Sequence, residues 1–405
     1  MKTYLLLFHL AFFLAAFSQE RMKPNLFIIE SEDKFGFIDT LGNVIVTPQY
    51  EGIQPYARNG IFWVKKYNPE KKKKVYLLVN SMSQLVSRDT FENVNKSFRL
   101  DRWVFKKSTG WGVLDASGKE LIPFEYDKIK IEDNEVVCAE KKGISGYFTE
   151  PNLNNFMPLP KQDKYIYNYI GEGYYSVYDK QSKLYGIFDT KINGNKLESN
   201  YTKIERVRFG QVVLGKTKEG VGIYDLNREE YIVKSGDYID IWLPKFPKFN
   251  FVDEDSLFIA TNVSDSGSLE CHVIDYCGKS SKIKGDLADQ YFIKGKGFTC
   301  GIASFRFFTN NLVYCGGVNA DGKLIIPAKF NQIGPSSEGM IRVNEGNLFG
   351  FWSSNGIEKI PSVFVEARAF INGISYVKKQ IVQKGKTIVE EGYIDINGNF
   401  IWKKT

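Results

Sequence analysis

One span, repeated along the chain, limits what it can fold into more than any other feature. WGVLDASGKELIPFEYDKI (111–129) recurs as FGFIDTLGNVIVTPQYEGI (35–53), YGIFDTKINGNKLESNYTKI (185–204), CGGVNADGKLIIPAKFNQI (315–333), FGFWSSNGIEKIPSVFVEA (349–367) and EGYIDINGNFIW (391–402). Weaker copies fill the gaps: YLLVNSMSQLVSRDTFENV (76–94) keeps the spacing, and GYFT, VGIYDLN and CHVIDYCG keep the first half. The positions equivalent to Asp115 are 39, 80, 115, 149, 189, 225, 275, 319, 353 and 395, a mean step near 40 residues. A fixed period of this size means a repeat architecture, in which each unit buries its apolar face against the next.

The residues of the unit read as β structure. An apolar strand such as GMIRVNE (339–345) or GISYVKK (373–379) precedes each aromatic-Gly pair. The aromatic-Gly-x-apolar-Asp segment is a second strand and the Leu-Ile-Pro segment a third, which predicts a three-stranded antiparallel meander per repeat. Asp115 and its equivalents, followed three residues later by Gly118 and its equivalents, are turn chemistry. The side chain accepts from the main chain two residues on, and glycine takes the positive φ that closes the hairpin. Pro123, Pro327 and Pro361 are expected to stop the third strand, because proline cannot donate into a ladder. Gly112 removes a side chain beside Trp111, and the expected occupant of that space is an aromatic ring of a neighbouring unit. Tyr50, Phe91, Tyr126, Tyr201, Phe330 and Phe364 share one repeat position and are expected to stack as a core ladder.

On Trp111, Gly112, Asp115, Gly118 and Pro123, and on the copies around them, the unit resembles the WG repeat, a short β repeat found in tandem in many bacterial proteins. The resemblance covers nearly all of residues 19–405; six copies match well, four are degenerate, and the full Trp-Gly pair stands only at 111–112. It implies a repeat fold and no particular activity. The fold class read here is all-β: about ten tandem three-stranded meanders in a curved open array. The open array is preferred because ten units exceed the usual four to eight blades and the chain starts on a first strand (NLFIIE) and ends on a third (NFIWKKT) with no terminal strand to share; a closed propeller-like ring is the alternative.

The first residues, MKTYLLLFHLAFFLAAFSQE, carry a lysine ahead of an apolar run from Tyr4 to Phe17 and small residues at Ala16 and Ser18. They read as an export signal occupying residues 1–18, which places the mature protein in the periplasm, cell envelope or outside the cell. The run is shorter than the roughly 20 residues that span a bilayer, so no membrane span is expected after cleavage. Removal of Lys2 leaves a net charge of +6, too mild to require an anionic partner. The run Lys71–Lys74 reads as a hairpin tip, and nucleic-acid binding is not expected from a single basic cluster.

Catalytic constellations are missing. His9 leaves with the signal, so His272 is the single histidine available to a nucleophilic mechanism or a zinc site. The repeated aspartates give no privileged carboxylate pair for glycoside hydrolysis. DINGN (395–399) and NADG (319–322) fall short of a calcium loop. GKGFTCG lacks the closing Lys-Ser/Thr of a phosphate loop. No metal or cofactor is expected. Five cysteines, Cys138, Cys271, Cys277, Cys300 and Cys315, leave any pairing open.

Two stretches depart from the repeat. Tyr165, Tyr167 and Tyr169 fall on one strand face with Tyr174, Tyr175 and Tyr178 behind, and the segment 237–255 carries Trp242, Phe246, Phe249 and Phe251 among prolines. Tyr165, Tyr167, Tyr169, Trp242, Phe246 and Phe249 are the candidate ligand-binding residues. The expected function is a non-catalytic binding or scaffold module for a protein or envelope partner, with glycan or cell-wall binding as the alternative and a carboxylate hydrolase as a third.

Overall fold

The structure, a computed structural model, describes residues 25–404 apart from 58–59, 96–101, 132–135, 150–152, 172, 208–211, 218–219, 243–256, 264–268, 276–278, 283–291, 300, 310–311 and 322. Among the described residues there are strands, turns and no helix. The strands form ten small antiparallel sheets, nine with four strands and one with three. We number the sheets 1 to 10 along the chain. Nine of the ten repeat positions from Asp39 to Asp395 lie at or one residue past the end of the penultimate strand of their sheet, and Asn80 ends the last strand of the three-stranded sheet 2.

Nine of the ten sheets hold one strand more than the sequence suggests. In sheet 3 the order is Asn93–Val94, Arg102–Lys107, Gly110–Asp115 and Glu120–Tyr126, a four-stranded meander rather than the expected three. The extra strand comes from the tail of the repeat. Tyr126 ends sheet 3, and after a single residue Lys128–Ile131 opens sheet 4. That single residue is itself bonded forward, Asp127 N–H donating to Glu140 O at 2.8 Å. Glu51, Asn331 and Val365 make the same bond to Lys65, Asn344 and Lys378. The apolar residue closing each copy, such as Ile53, Ile129 or Ile333, is therefore a core residue of the following sheet.

The sheets close on themselves, which corrects the open-array expectation in favour of its alternative, a β-propeller. Ten clusters of buried side chains lie between successive sheets. One of them joins Ile374 and Tyr393 of sheet 10 to Phe27, Ile29 and Ile38 of sheet 1. No exchanged terminal strand is needed, because side-chain packing makes this seam as it makes the others. In sheet 1 the place of the missing first strand is taken from downstream by Tyr56–Ala57, which pairs with Leu26 and Phe27.

Three local expectations change with the structure. Glycine after the aromatic makes room for the last strand of its own sheet rather than for a neighbour's ring: a Cβ on Gly36 would stand 2.1 Å from Val46 O, and one on Gly112 would stand 2.7 Å from the Phe124 ring. The cause is a bulge, since pairing jumps from Trp111↔Tyr126 to Val113↔Ile122 and the longer strand bows across the glycine. Pro123 sits inside that bulge and not at a strand end, as Pro327 and Pro361 do in Leu324–Phe330 and Glu358–Phe364. There the ladder is already broken and asks for no donor. The aromatics at the shared position form no single ladder. Tyr50, Phe91, Tyr126, Tyr201, Phe330 and Phe364 are all buried, each in a different inter-sheet cluster.

Candidate functional site

A meander sends alternate connections to opposite ends of its sheet, so the ring has two rims. One carries the turns that follow the Asp115-equivalent positions; the other carries the hairpins between the two strands before them. On the turn rim the Asp39 carboxylate accepts from Leu41 N and Asn43 N, both at 2.9 Å. Asp115 accepts from Ser117 N and Lys119 N, and Asp395 from Asn397 N and Asn399 N, all at 2.8–2.9 Å. Burial pushes these carboxyl groups up, but the turn hydrogen bonds together outweigh it and hold all three below the usual aspartate range. The glycine that follows is forced twice. Gly42, Gly118 and Gly356 have φ of 88°, 80° and 83°. A Cβ on them would also stand 2.2, 2.6 and 2.6 Å from the carbonyl oxygens of Ile401, Val86 and Ile325 in the preceding unit. The turn aspartates thus spend their oxygens on the chain itself.

The same turns push apolar side chains into solvent. Leu41 of sheet 1 is 76% exposed and Met82 of sheet 2 is 72% exposed; Ile357 of sheet 9 and Ile396 of sheet 10 stand out as well. Sheets 9, 10, 1 and 2 are successive around the closed ring, and Val44, Ile45 and Leu85, also exposed, extend the arc at the strand starts. Elsewhere on the turns, Ile192 of sheet 5 is the comparable exposed aliphatic among the described residues. Sequence reasoning missed this arc because the residues lie some 40 apart and become neighbours only when the ring closes.

The tyrosine strand Tyr165–Gly171 is an edge strand of sheet 5. Tyr165, Tyr167 and Tyr169 face together, as their alternation requires, and pack partly buried on Tyr147, Tyr175 and Phe188 at the seam between sheets 4 and 5. Tyr167 donates to Pro160 O at 2.9 Å, and the Tyr169 hydroxyl accepts from Gly173 N at 3.0 Å. Burial pushes the Tyr147 and Tyr167 phenols up to about 12 and Tyr175 higher still. Ile166 and Asn168 occupy the opposite, exposed face. Of the other candidates, Trp242 ends the short strand Asp240–Trp242 of sheet 7, while Phe246 and Phe249 lie outside the described residues. The structure therefore does not bring the tyrosine strand and the 237–255 segment together in one described site.

His272 has neighbours that the sequence did not reveal. Pairing of Leu269–Asp275 with Ser280–Lys282 brings Ser280 Oγ to 3.3 Å from Nδ1, and Glu270 Oε2 lies 3.7 Å from Nε2. Glu270 also bonds Lys282, which holds its carboxyl low, and Tyr238 Oη is 2.8 Å from Ser280 Oγ. The serine and the carboxylate flank the imidazole, but the carboxylate distance exceeds a hydrogen bond. Among the described residues no group of three or more histidine, cysteine or acidic side chains could hold a metal ion. Cys271 and Cys315 are free thiols, and Cys138 Sγ lies 3.1 Å from Tyr175 Oη; Cys277 and Cys300 lie outside the described residues. No helix among the described residues is long and apolar enough to cross a membrane.

Comparison with known families matches the WG containing repeat at residues 35–68, 111–143 and 316–349. A search of curated protein sequences finds no match. Among solved structures, similarity extends to a Porphyromonas gingivalis dipeptidyl peptidase 4 at 9% identity, over 76% of this chain and 52% of that one, with a TM-score of 0.39. A eukaryotic initiation factor is similar at 10% identity, over 76% of this chain and 98% of that one, with a TM-score of 0.34. Apo AztD from Citrobacter koseri is similar at 9% identity over 74% and 93%, with a TM-score of 0.33.

Proposed function

We propose that this WG-repeat propeller is an exported, non-catalytic binding or scaffold module, and that it takes a protein partner on the turn rim of sheets 9, 10, 1 and 2. The observation that carries this reading is the arc of Ile357, Ile396, Leu41 and Met82. Large aliphatic side chains exposed on successive turns of an otherwise closed ring are what a docking surface presents. The turn itself does not require them, since Ser117 occupies the Leu41 place in the best-preserved repeat. Export rests on the apolar run from Tyr4 to Phe17, and N-terminal sequencing of the mature protein should then begin at Gln19.

The test is cross-linking in envelope fractions with wild type and with a Leu41→Asp, Met82→Asp, Ile396→Asp variant. The reading expects a discrete cross-linked partner that the variant loses while its circular dichroism is unchanged. A partner retained at full yield by the variant would remove the turn rim from consideration. A turnover abolished by His272→Ala or by one carboxylate substitution would remove the non-catalytic reading altogether.

A further inference from the structure

On the opposite rim the hairpins are unequal. Most end after strands of five or six residues, but in sheet 10 the strands Ile374–Gln383 and Lys386–Asp395 have ten residues each. Neighbouring strands cover only their base. Glu366–Ala367 pairs up to Lys378 on one side, and Phe400–Lys403 pairs from Gly392 on the other. Among the described residues no other strand pairs with 379–383 or 386–390, and the Glu390 side chain at the base is held by Lys403. At about 3.3 Å per residue, the hairpin stands roughly 15 Å clear of the ring.

This overhang carries a pair of aliphatic side chains on each face. Directly opposed residues share a face, so the pair Ile381↔Ile388 marks one side, and Val382 with Val389, offset by one pairing step, marks the other. Val382 is 76% and Val389 53% exposed. A partner with a flat surface covers one face of a ribbon and leaves the other wet; only a surrounding medium covers both. The tip that would lead into that medium is basic, Gln383-Lys384-Gly385-Lys386.

The rim around it shares the character. The next longest hairpin, in sheet 2, runs through Lys71–Lys74 with Tyr67 exposed beside it, and sheet 4 ends in Lys141-Lys142-Gly143 followed by exposed Ile144. Lys73, Lys74 and Lys141 are balanced by Glu92, Glu51 and Glu125. Lys72, Lys142, Lys384 and Lys386 form no ion pair among the described residues. The acidic pair Glu32-Asp33, on the short hairpin of sheet 1 between the two long ones, is set back from the tips.

We propose that this rim docks on an anionic phospholipid surface, with the 379–390 hairpin entering the headgroup layer and the unpaired lysines meeting lipid phosphates. The open edges of the hairpin limit its depth, because unpaired main-chain groups are not tolerated in hydrocarbon. The arrangement is that of an interfacial anchor, apolar area plus basic charge, built on a β-ribbon instead of a helix. It does not depend on the turn-rim partner, which lies at the other end of the ring.

The experiment is co-sedimentation of the mature chain with vesicles of equal parts phosphatidylglycerol and phosphatidylcholine, beside vesicles of phosphatidylcholine alone. The proposal expects binding to the mixed vesicles only, weakening with added salt. It expects about a tenfold or greater loss in Val382→Asp/Val389→Asp and in Lys384→Glu/Lys386→Glu. All four positions are exposed, so near-ultraviolet circular dichroism should show both variants folded. Failure of wild type to sediment with mixed vesicles at low salt overturns it. So does loss in the lysine variant alone with dextran sulfate bound as tightly as the vesicles, which would make the rim a site for soluble polyanions.

Discussion

The phenol of Tyr393 donates to the main-chain oxygen of Ile28 at 2.8 Å, tying sheet 10 to sheet 1 across 365 residues of sequence. The Tyr393 ring meets Phe27 edge-on at 5.9 Å, and Lys404 Nζ lies 3.6 Å from Glu30 beside it. Tyr393→Phe, which removes only the hydrogen bond, should cost about 1 kcal/mol in denaturant unfolding. Tyr393→Ala, which empties the seam, should cost about 3–5 kcal/mol. If the alanine variant unfolds at the wild-type denaturant midpoint, the seam does not hold the ring closed.

Glycine substitutions separate the bulge from ordinary strand positions. Gly36→Ala places a methyl 2.1 Å from Val46 O, where backbone must move, and should cost upwards of about 2 kcal/mol. Gly194→Ala meets nothing nearer than 3.7 Å and should fall within about 0.5 kcal/mol of wild type. Equal melting temperatures for the two variants would contradict the bulge as the reason for the aromatic-Gly pair.

The turn carboxylates predict an acid limit. Asp39, Asp115 and Asp395 titrate below their unfolded value of 3.8, so their stabilisation is complete above that pH and is lost as pH falls through the lower folded values. Asp115→Asn should leave stability near wild type at neutral pH and soften the acid transition, as Asn80 and Asn319 already accept the same turn bonds. Asp115→Ala should cost about 1 kcal/mol at any pH above that range. Chemical denaturation at neutral and at acid pH checks both.

At high pH the sign is opposite. Burial pushes the Cys271 thiol from 9.0 up to about 11, and the Tyr147 and Tyr167 phenols from 10.0 up to about 12. The folded state favours the neutral forms, so stability is full below the unfolded values and falls as pH rises through the folded ones. Tyrosinate absorbance should show a late phase that coincides with unfolding, and Cys271 should resist alkylation until then. Titration of every tyrosine near pH 10, with the fold retained, would contradict the burial at the seam of sheets 4 and 5.

Sequence reasoning went furthest where a residue's role is local. Asp115 and Gly118 answer to a five-residue turn, and Trp111-Gly112 marks a strand whichever way the sheets assemble. It fell short where the role is shared between units. Ile129 reads as the tail of one repeat but packs in the next sheet, so the fourth strand went unseen. Closure rests on Tyr393 and Ile28, which no local pattern connects. The tyrosines at 165, 167 and 169 were legible as one face of a strand, but which neighbour that face meets depends on the seam. The basic rim was hidden for the same reason: Lys72, Lys142 and Lys384 belong to separate hairpins that only the ring gathers.

A strand that leaves one sheet at Tyr126 and enters the next at Lys128 belongs to both, so the chain has no seam there at which a unit could be excised alone. A cut at Asp127 unthreads two sheets at once. Such a ring can change size only by whole periods, duplicated or deleted in register from one bend to the next. Each such event must also re-open and re-fit the Tyr393 to Ile28 junction, which makes ring size a heritable, stepwise quantity.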